Sequence, residues 1–129
     1  LDEHRGEFPR LDERYSMSNY RYGIYASNDG NSSPGISFNS ITRYDHETGN
    51  KEVFSLSKHD AVEEPIFVPK SSDSSEGVGY IIALSYLGEE NRSDLMIFDA
   101  ENLSSGPIAR AILPHRVPYG FHGNWRQGT

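Results

Sequence analysis

The chain has 129 residues, no cysteine, and 19 acidic against 12 basic side chains, which gives a formal net charge of −7. This acidic balance argues against nucleic acid or an anionic membrane as partner, because both bind basic surfaces. The lack of cysteine excludes disulfides and thiolate metal sites, and no apolar run approaches the roughly 20 residues of a membrane-spanning helix. With no apolar leader among the charged first residues, we expect a cytoplasmic protein of single-domain size.

Short apolar, β-branched and aromatic runs, separated by Gly, Asn, Asp, Ser and Pro, are typical of an all-β fold. The first predicted set of antiparallel strands covers residues 6–12, 20–27, 35–45 and 51–56. The second set covers residues 64–69, 79–87, 94–100 and 107–113, and a closing strand is predicted at 119–126. Between the strands, the polar stretch 71–77 (SSDSSEG) is predicted to be a flexible surface loop.

The two sets share one plan and nearly one length. Glu7 precedes Glu64 by 57 residues, and Glu64 precedes His122 by 58. Four-stranded units that recur at roughly 40–50 residues or slightly more are typical of β-propeller blades. We therefore predict one blade over 6–56 and a second over 64–113, with the three residues at matching places facing the propeller axis.

A complete propeller needs roughly four to eight blades, and two blades would leave long unpaired strand edges. The sequence therefore predicts the C-terminal part of a larger protein. The alternative is a small domain that pairs with other chains.

His122 lies in the apolar stretch GFHGNW near the chain end. Gly120 and Gly123 permit close approach of the backbone, while Phe121 and Trp125 would exclude water. We expect this segment to return to the interior, where a neutral imidazole can bind a transition metal. The alternative is a buried histidine that hydrogen-bonds a backbone carbonyl.

Glu7 and Glu64 each precede or overlap an apolar strand. A carboxylate at the buried end of a strand is costly unless it is paired. One suitable partner is the second ring N–H of a metal-bound imidazole, which the carboxylate would orient. The alternative is that both glutamates cap strand ends in solvent.

Three stretches carry a resemblance to a known family: GEFPRLDERY, EEPIFVPKSSDSSEGVGYIIALSY and RSDLMIFDAENLSSGPIARAILPHRVPYGFHGNW. In this order they resemble the C-terminal portion of the carotenoid cleavage oxygenases, which include lignostilbene dioxygenases and the retinal isomerase of the visual cycle. The resemblance implies a seven-bladed propeller whose axis holds Fe(II), bound by four histidines that three glutamates help to orient. His122 matches the last iron ligand, and Glu7 and Glu64 match two of the glutamates; the other ligands would lie upstream.

The resemblance also implies the reaction. Dioxygen and an apolar alkene, a stilbenoid or an apocarotenoid, would react to give two carbonyl products, and Tyr119, Phe121 and Trp125 would help to line the substrate cavity unless they are plain core packing. One imidazole cannot hold iron, so the isolated chain is expected to be inactive without the N-terminal part of the propeller. The alternative functions are a non-catalytic β-propeller-like interaction module and a pseudoenzyme fragment.

Overall fold

The computed structural model describes residues 5–126 and 128 and has the predicted all-β fold. The strands are β1 (Gly6–Leu11), β2 (Tyr22–Ser27), β3 (Ser40–Asp45), β4 (Lys51–Ser55), β5 (Ala61–Val62), β6 (Ile66–Pro69), β7 (Gly79–Leu87), β8 (Arg92–Asp99) and β9 (Pro107–Ile112). Two short 3₁₀ helices, Glu13–Tyr15 and Ala100–Ser105, lie between strands. Over the described ranges, no helix has the length and apolar character needed to cross a membrane.

The first sheet contains β1 to β4 in sequence order, all antiparallel. The β3–β4 turn forms as its composition predicts: a side-chain oxygen of Asp45 accepts the N–H groups of Glu47 and Thr48. Gly49 then takes a φ of 75°, a conformation that glycine adopts without steric cost. The predicted first blade is therefore a four-stranded antiparallel sheet.

A β-bulge interrupts β1. Glu7 pairs with Ala26 and Arg10 with Ile24, so three residue steps on β1 face two on β2. Phe8 lies inside the bulge with a φ of 57°, which is uncommon for a residue with a side chain. Bulges break the two-residue alternation of a strand and redirect side chains. The bulge thereby changes where the side chain of Arg10 points.

The second sheet has the order β5-β7-β8-β9, and β6 also pairs with β7. The short strand β5, which the sequence did not predict, and β6 pair with different parts of β7. Between them, residues 63–65 (Glu-Glu-Pro) form no strand, as expected where Pro65 has no N–H for a ladder. This break positions Glu63 and Glu64.

The hydrophobic core lies between the two sheets. Phe54 of the first sheet packs against Phe98 of the second, with ring centroids 5.0 Å apart. The core side chains are all buried: Ile24, Ala26, Ile41, Val62, Phe67, Ile81, Ala83, Leu87, Met96, Phe98, Ala100 and Leu103.

The loop 71–77, predicted to be flexible, is hydrogen-bonded to the first sheet. The guanidinium of Arg14 donates to three backbone carbonyl groups of the loop, those of Ser71, Ser72 and Ser74. At the end of the loop, Glu76 accepts the backbone N–H groups of Arg21 and Tyr22 at 2.6 and 3.0 Å. The loop therefore joins the two sheets.

Residues 119–126, all of which the structure describes, pair with no strand of this chain, so the closing strand stays a prediction for the larger propeller. Their backbone groups have side-chain partners instead of a neighbouring strand. The N–H of Gly120 donates to Glu63 at 2.7 Å, and the N–H of Gly123 donates to Glu64 at 3.0 Å. The division of the chain into propeller blades within a larger domain stays a prediction.

Candidate metal centre

Glu64 is the centre of a hydrogen-bonded cluster that joins both sheets and the terminal segment. Its side chain is 5 % exposed. Arg10 of β1 donates from Nε to Oε1 at 2.9 Å and from a terminal nitrogen to Oε2 at 3.0 Å. The N–H of Gly123 donates to Oε2, and Nδ1 of His122 lies 3.4 Å from Oε1. In this structure Glu64 is thus a paired buried carboxylate and not a solvent-exposed strand cap.

The Glu64 carboxyl is held in its ionised form. Burial favours the neutral acid, but hydrogen bonds from Arg10, the Gly123 N–H and His122 outweigh it, so the pKa of Glu64 lies below its ordinary value. The hydrogen bond to Glu64 in turn raises the pKa of Arg10. A fixed carboxylate therefore faces the imidazole.

His122 has two different ring nitrogens in this setting. Nδ1 faces Glu64, so a proton on Nδ1 would be donated to the carboxylate, which leaves the lone pair on Nε2. The ring packs edge-on against Phe8 with centroids 5.3 Å apart, and its side chain is 74 % exposed. Within this chain the ring is therefore not buried, because the terminal segment lies on the outside of the two sheets; its burial in the larger propeller stays a prediction.

The donor arrangement fits one imidazole ligand of a metal ion. A ligand histidine almost always donates its other ring N–H to a carboxylate, carbonyl or water, and Glu64 occupies that position for His122. Among residues 5–126 and 128, no group of three or more His, Asp or Glu side chains could hold a metal ion. Within the described residues, His122 could therefore supply only one ligand position.

Glu7, the third predicted residue, is not brought into this cluster. It lies exposed on β1, just before the bulge, and forms no hydrogen bond with Glu64 or His122. Its neighbour Phe8 does contact the His122 ring. The structure thus places Glu7 one residue from the site.

The family model described as retinal pigment epithelial membrane protein matches residues 1–127. The chain belongs to this family. Its relatives include the carotenoid and lignostilbene oxygenases, so the resemblance inferred from the sequence is confirmed.

Similarity to individual members extends along nearly the whole chain. Lignostilbene-alpha,beta-dioxygenase isozyme III of Sphingomonas paucimobilis is 44 % identical over 95 % of this chain, and the match covers 27 % of that protein. Apocarotenoid-15,15'-oxygenase of Synechocystis is 33 % identical over 94 % of the chain and 24 % of that protein. The crystal structure of Pseudomonas brassicacearum lignostilbene dioxygenase superposes with a TM-score of 0.91 at 34 % identity, over 98 % of this chain and 28 % of the other. The chain therefore has the fold of part of a carotenoid-oxygenase propeller and spans about a quarter of its relatives.

The predicted cavity residues lie apart from the core. Tyr119, Phe121 and Trp125 are 50, 70 and 51 % exposed. Phe121 packs on Phe8 at 6.3 Å between ring centroids, and together with Tyr119 it lines a cavity of about 190 Å³. Their role in lining a substrate cavity stays a prediction.

Two residues of the cluster were missed by sequence reasoning. Arg10 holds Glu64 from the other sheet, and Glu63 accepts the Gly120 N–H at 2.7 Å. Glu63 could have been found from the sequence, since it adjoins Glu64 and the pair immediately precedes Pro65. Arg10 had none, because its direction depends on the bulge at Phe8.

Proposed function

We propose that the chain is the C-terminal part of a non-haem Fe(II) dioxygenase that cleaves an alkene double bond into two carbonyl compounds. The observation that carries the proposal is the contact between His122 and the ionised carboxylate of Glu64. The residues of this pair were singled out by blade spacing and by family resemblance. The names of the relatives, a lignostilbene dioxygenase and an apocarotenoid oxygenase, support the reaction class.

In this proposal His122 binds the metal through Nε2 and Glu64 keeps the ring in that tautomer. Ferrous iron held by neutral imidazoles supplies open positions and electron density for dioxygen. The carboxylate of Glu64 accepts the hydrogen bond from Nδ1–H, which keeps the lone pair on Nε2 and makes that nitrogen more basic. The T-shaped contact with the Phe8 ring limits rotation of the imidazole.

Glu7 is proposed to do the same for an imidazole supplied from outside this chain. It lies at the matching place in the first blade and has an exposed side chain. The remaining ligands would come from the N-terminal part of the propeller. The isolated chain is accordingly proposed to be inactive.

The substrate is proposed to be a stilbenoid in preference to an apocarotenoid. The lignostilbene dioxygenase is 44 % identical to this chain, against 33 % for the apocarotenoid oxygenase. Tyr119, Phe121 and Trp125 offer exposed aromatic surface on the side of the chain that carries His122. A kcat/KM for a 4-hydroxystilbene above that for an apocarotenal is the expected result in the full-length protein.

The test replaces His122 by Ala in the full-length protein, with His115→Ala as the matched control, since His115 is an exposed histidine of the same segment. We expect His122→Ala to lower iron content and substrate-dependent oxygen uptake at least 10-fold, as loss of a metal ligand should, while His115→Ala keeps both. Unchanged iron content and oxygen uptake in His122→Ala would rule the proposal out and favour a non-catalytic module.

A further inference from the structure

Arg10 connects three segments that are far apart in sequence. From β1 it binds both oxygens of Glu64, which precedes β6, at 2.9 and 3.0 Å. A terminal nitrogen of the same guanidinium donates to the backbone carbonyl of Gly123 at 2.7 Å. The residue next to Gly123 is His122, so Arg10 holds both the carboxylate and the backbone that determine where the imidazole lies.

This arrangement needs a planar fork of donors. A guanidinium presents parallel N–H groups that match the two oxygens of a carboxylate, whereas an ammonium is a single donor atom on a flexible stem. With both oxygens engaged, the Glu64 carboxylate cannot rotate about its terminal bond without losing a charge-assisted hydrogen bond. The direction of Oε1 toward Nδ1 of His122 is thereby fixed.

We propose that Arg10 is a positioning residue for the metal ligand His122, acting through Glu64 and the Gly123 carbonyl. The inference rests on the proposed function, since it assigns Arg10 a role at the same centre. The bulge at Phe8 belongs to this device, because it redirects the β1 side chains and places Phe8 against the imidazole. In this role Arg10 acts through its hydrogen bonds to Glu64 and to the Gly123 carbonyl.

A purely structural role is the competing explanation, and the chain contains a matched control for it. Arg14 also joins the sheets, through Asp12 on its own side and the carbonyls of loop 71–77 on the other. The two arginine side chains are similarly exposed, 24 % for Arg10 and 27 % for Arg14. None of the hydrogen bonds of Arg14 reaches Glu64 or His122.

The experiment compares Arg10→Ala, Arg10→Lys, Arg14→Ala and His122→Ala in the full-length protein. Three quantities are measured: the Co(II) dissociation constant by chelator competition, the ligand-field absorption spectrum of the Co(II) form, and the thermal midpoint of the metal-free protein. We expect Arg10→Ala to weaken Co(II) binding about 10-fold or more and to change the spectrum, as losses of outer hydrogen-bond partners of metal ligands do. The Co(II) affinity of Arg10→Lys should lie between those of Arg10→Ala and the wild type.

Arg14→Ala should lower the thermal midpoint yet keep Co(II) affinity within two-fold and the spectrum unchanged. Wild-type affinity and spectrum in Arg10→Lys, or in a folded Arg10→Ala, would overturn the inference; if Arg10→Ala does not fold, Arg10→Lys decides. The variant His122→Ala distinguishes a failure of the role proposed for Arg10 from a failure of the proposed function. If it loses Co(II) while the Arg10 variants do not, only the role of Arg10 is wrong, whereas wild-type binding in His122→Ala would remove the proposed function as well.

Discussion

Replacing Glu64 by Gln removes the charge of the buried carboxylate and keeps its shape. In the wild type this carboxylate holds the terminal segment through the Gly123 N–H and holds Arg10 through two hydrogen bonds. The amide oxygen of Gln at the Oε2 position can still accept from the Gly123 N–H and a terminal nitrogen of Arg10, but these bonds lose their negatively charged acceptor. Its NH₂ group then faces the Nε–H of Arg10, and two donors cannot pair. The terminal segment should therefore open more often.

The magnitude follows from burial. Removing one partner of a fully buried ion pair costs about 3–5 kcal/mol, and the Arg10 side chain keeps 24 % exposure, so part of its charge is solvated in the variant. We therefore expect the free energy of the closed state to rise by about 2 kcal/mol, which increases the population of the open segment roughly 30-fold.

Hydrogen–deuterium exchange of the full-length protein, followed on the peptide that covers 119–126, measures this opening. The control is Glu13→Gln, because Glu13 also accepts from Arg10 at 2.9 Å but is 62 % exposed. An exposed pair of this spacing contributes less than about 0.5 kcal/mol, so exchange should change less than about two-fold. Equal exchange in Glu64→Gln and Glu13→Gln would refute the reasoning.

Three further outcomes are expected. Gly77→Ala should lower the thermal midpoint more than Gly30→Ala. Both glycines have positive φ, but a Cβ at Gly77 would lie 2.5 Å from the Tyr22 ring, whereas nothing lies within 4 Å of a Cβ at Gly30. An equal decrease of the thermal midpoint in both variants would contradict the clash. The pKa of the folded Glu64 carboxyl lies below the ordinary value of 4.5, so the ionised carboxylate stabilises the closed state fully above pH 4.5 and loses this effect as the pH falls through the folded pKa. The difference in exchange between wild type and Glu64→Gln should therefore shrink below pH 4.5. A difference that stays constant would argue against an ionised Glu64. Glu7→Gln should weaken Co(II) binding of the full-length protein about 10-fold if Glu7 orients an imidazole, and unchanged binding would remove that role.

Most strands were predictable from the alternation of apolar and polar residues. The prediction was less accurate where a loop forms local hydrogen bonds in place of a strand ladder. The stretch 79–87 alternates between buried and half-buried residues, and β7 forms with those bounds. The predicted strand 35–45 begins only at Ser40. Before it, the N–H of Ile36 donates to Ser33, and Asn39 exchanges side-chain hydrogen bonds with Asp29. Such local bonds offer the backbone an alternative to a ladder.

The spacing of residues along the sequence predicted part of the candidate site. Glu64 and His122 were singled out because they are 58 residues apart, close to the predicted blade repeat, and the structure places them in contact. Arg10 could not be found in this way, since a non-glycine residue with positive φ at Phe8 determines its direction. Within this chain residues 119–126 pair with no strand, and the carboxylates of Glu63 and Glu64, which no periodicity reveals, accept the N–H groups of Gly120 and Gly123.

The central claim is that Glu64 fixes His122 so that Nε2 is presented to a metal ion. Anomalous diffraction at the iron edge, from crystals of the iron-loaded full-length protein, tests it most directly. The account predicts an iron peak within bonding distance of Nε2 of His122, with Nδ1 hydrogen-bonded to Glu64. An iron peak away from His122, or one bonded to Nδ1 with Glu64 turned aside, would contradict it.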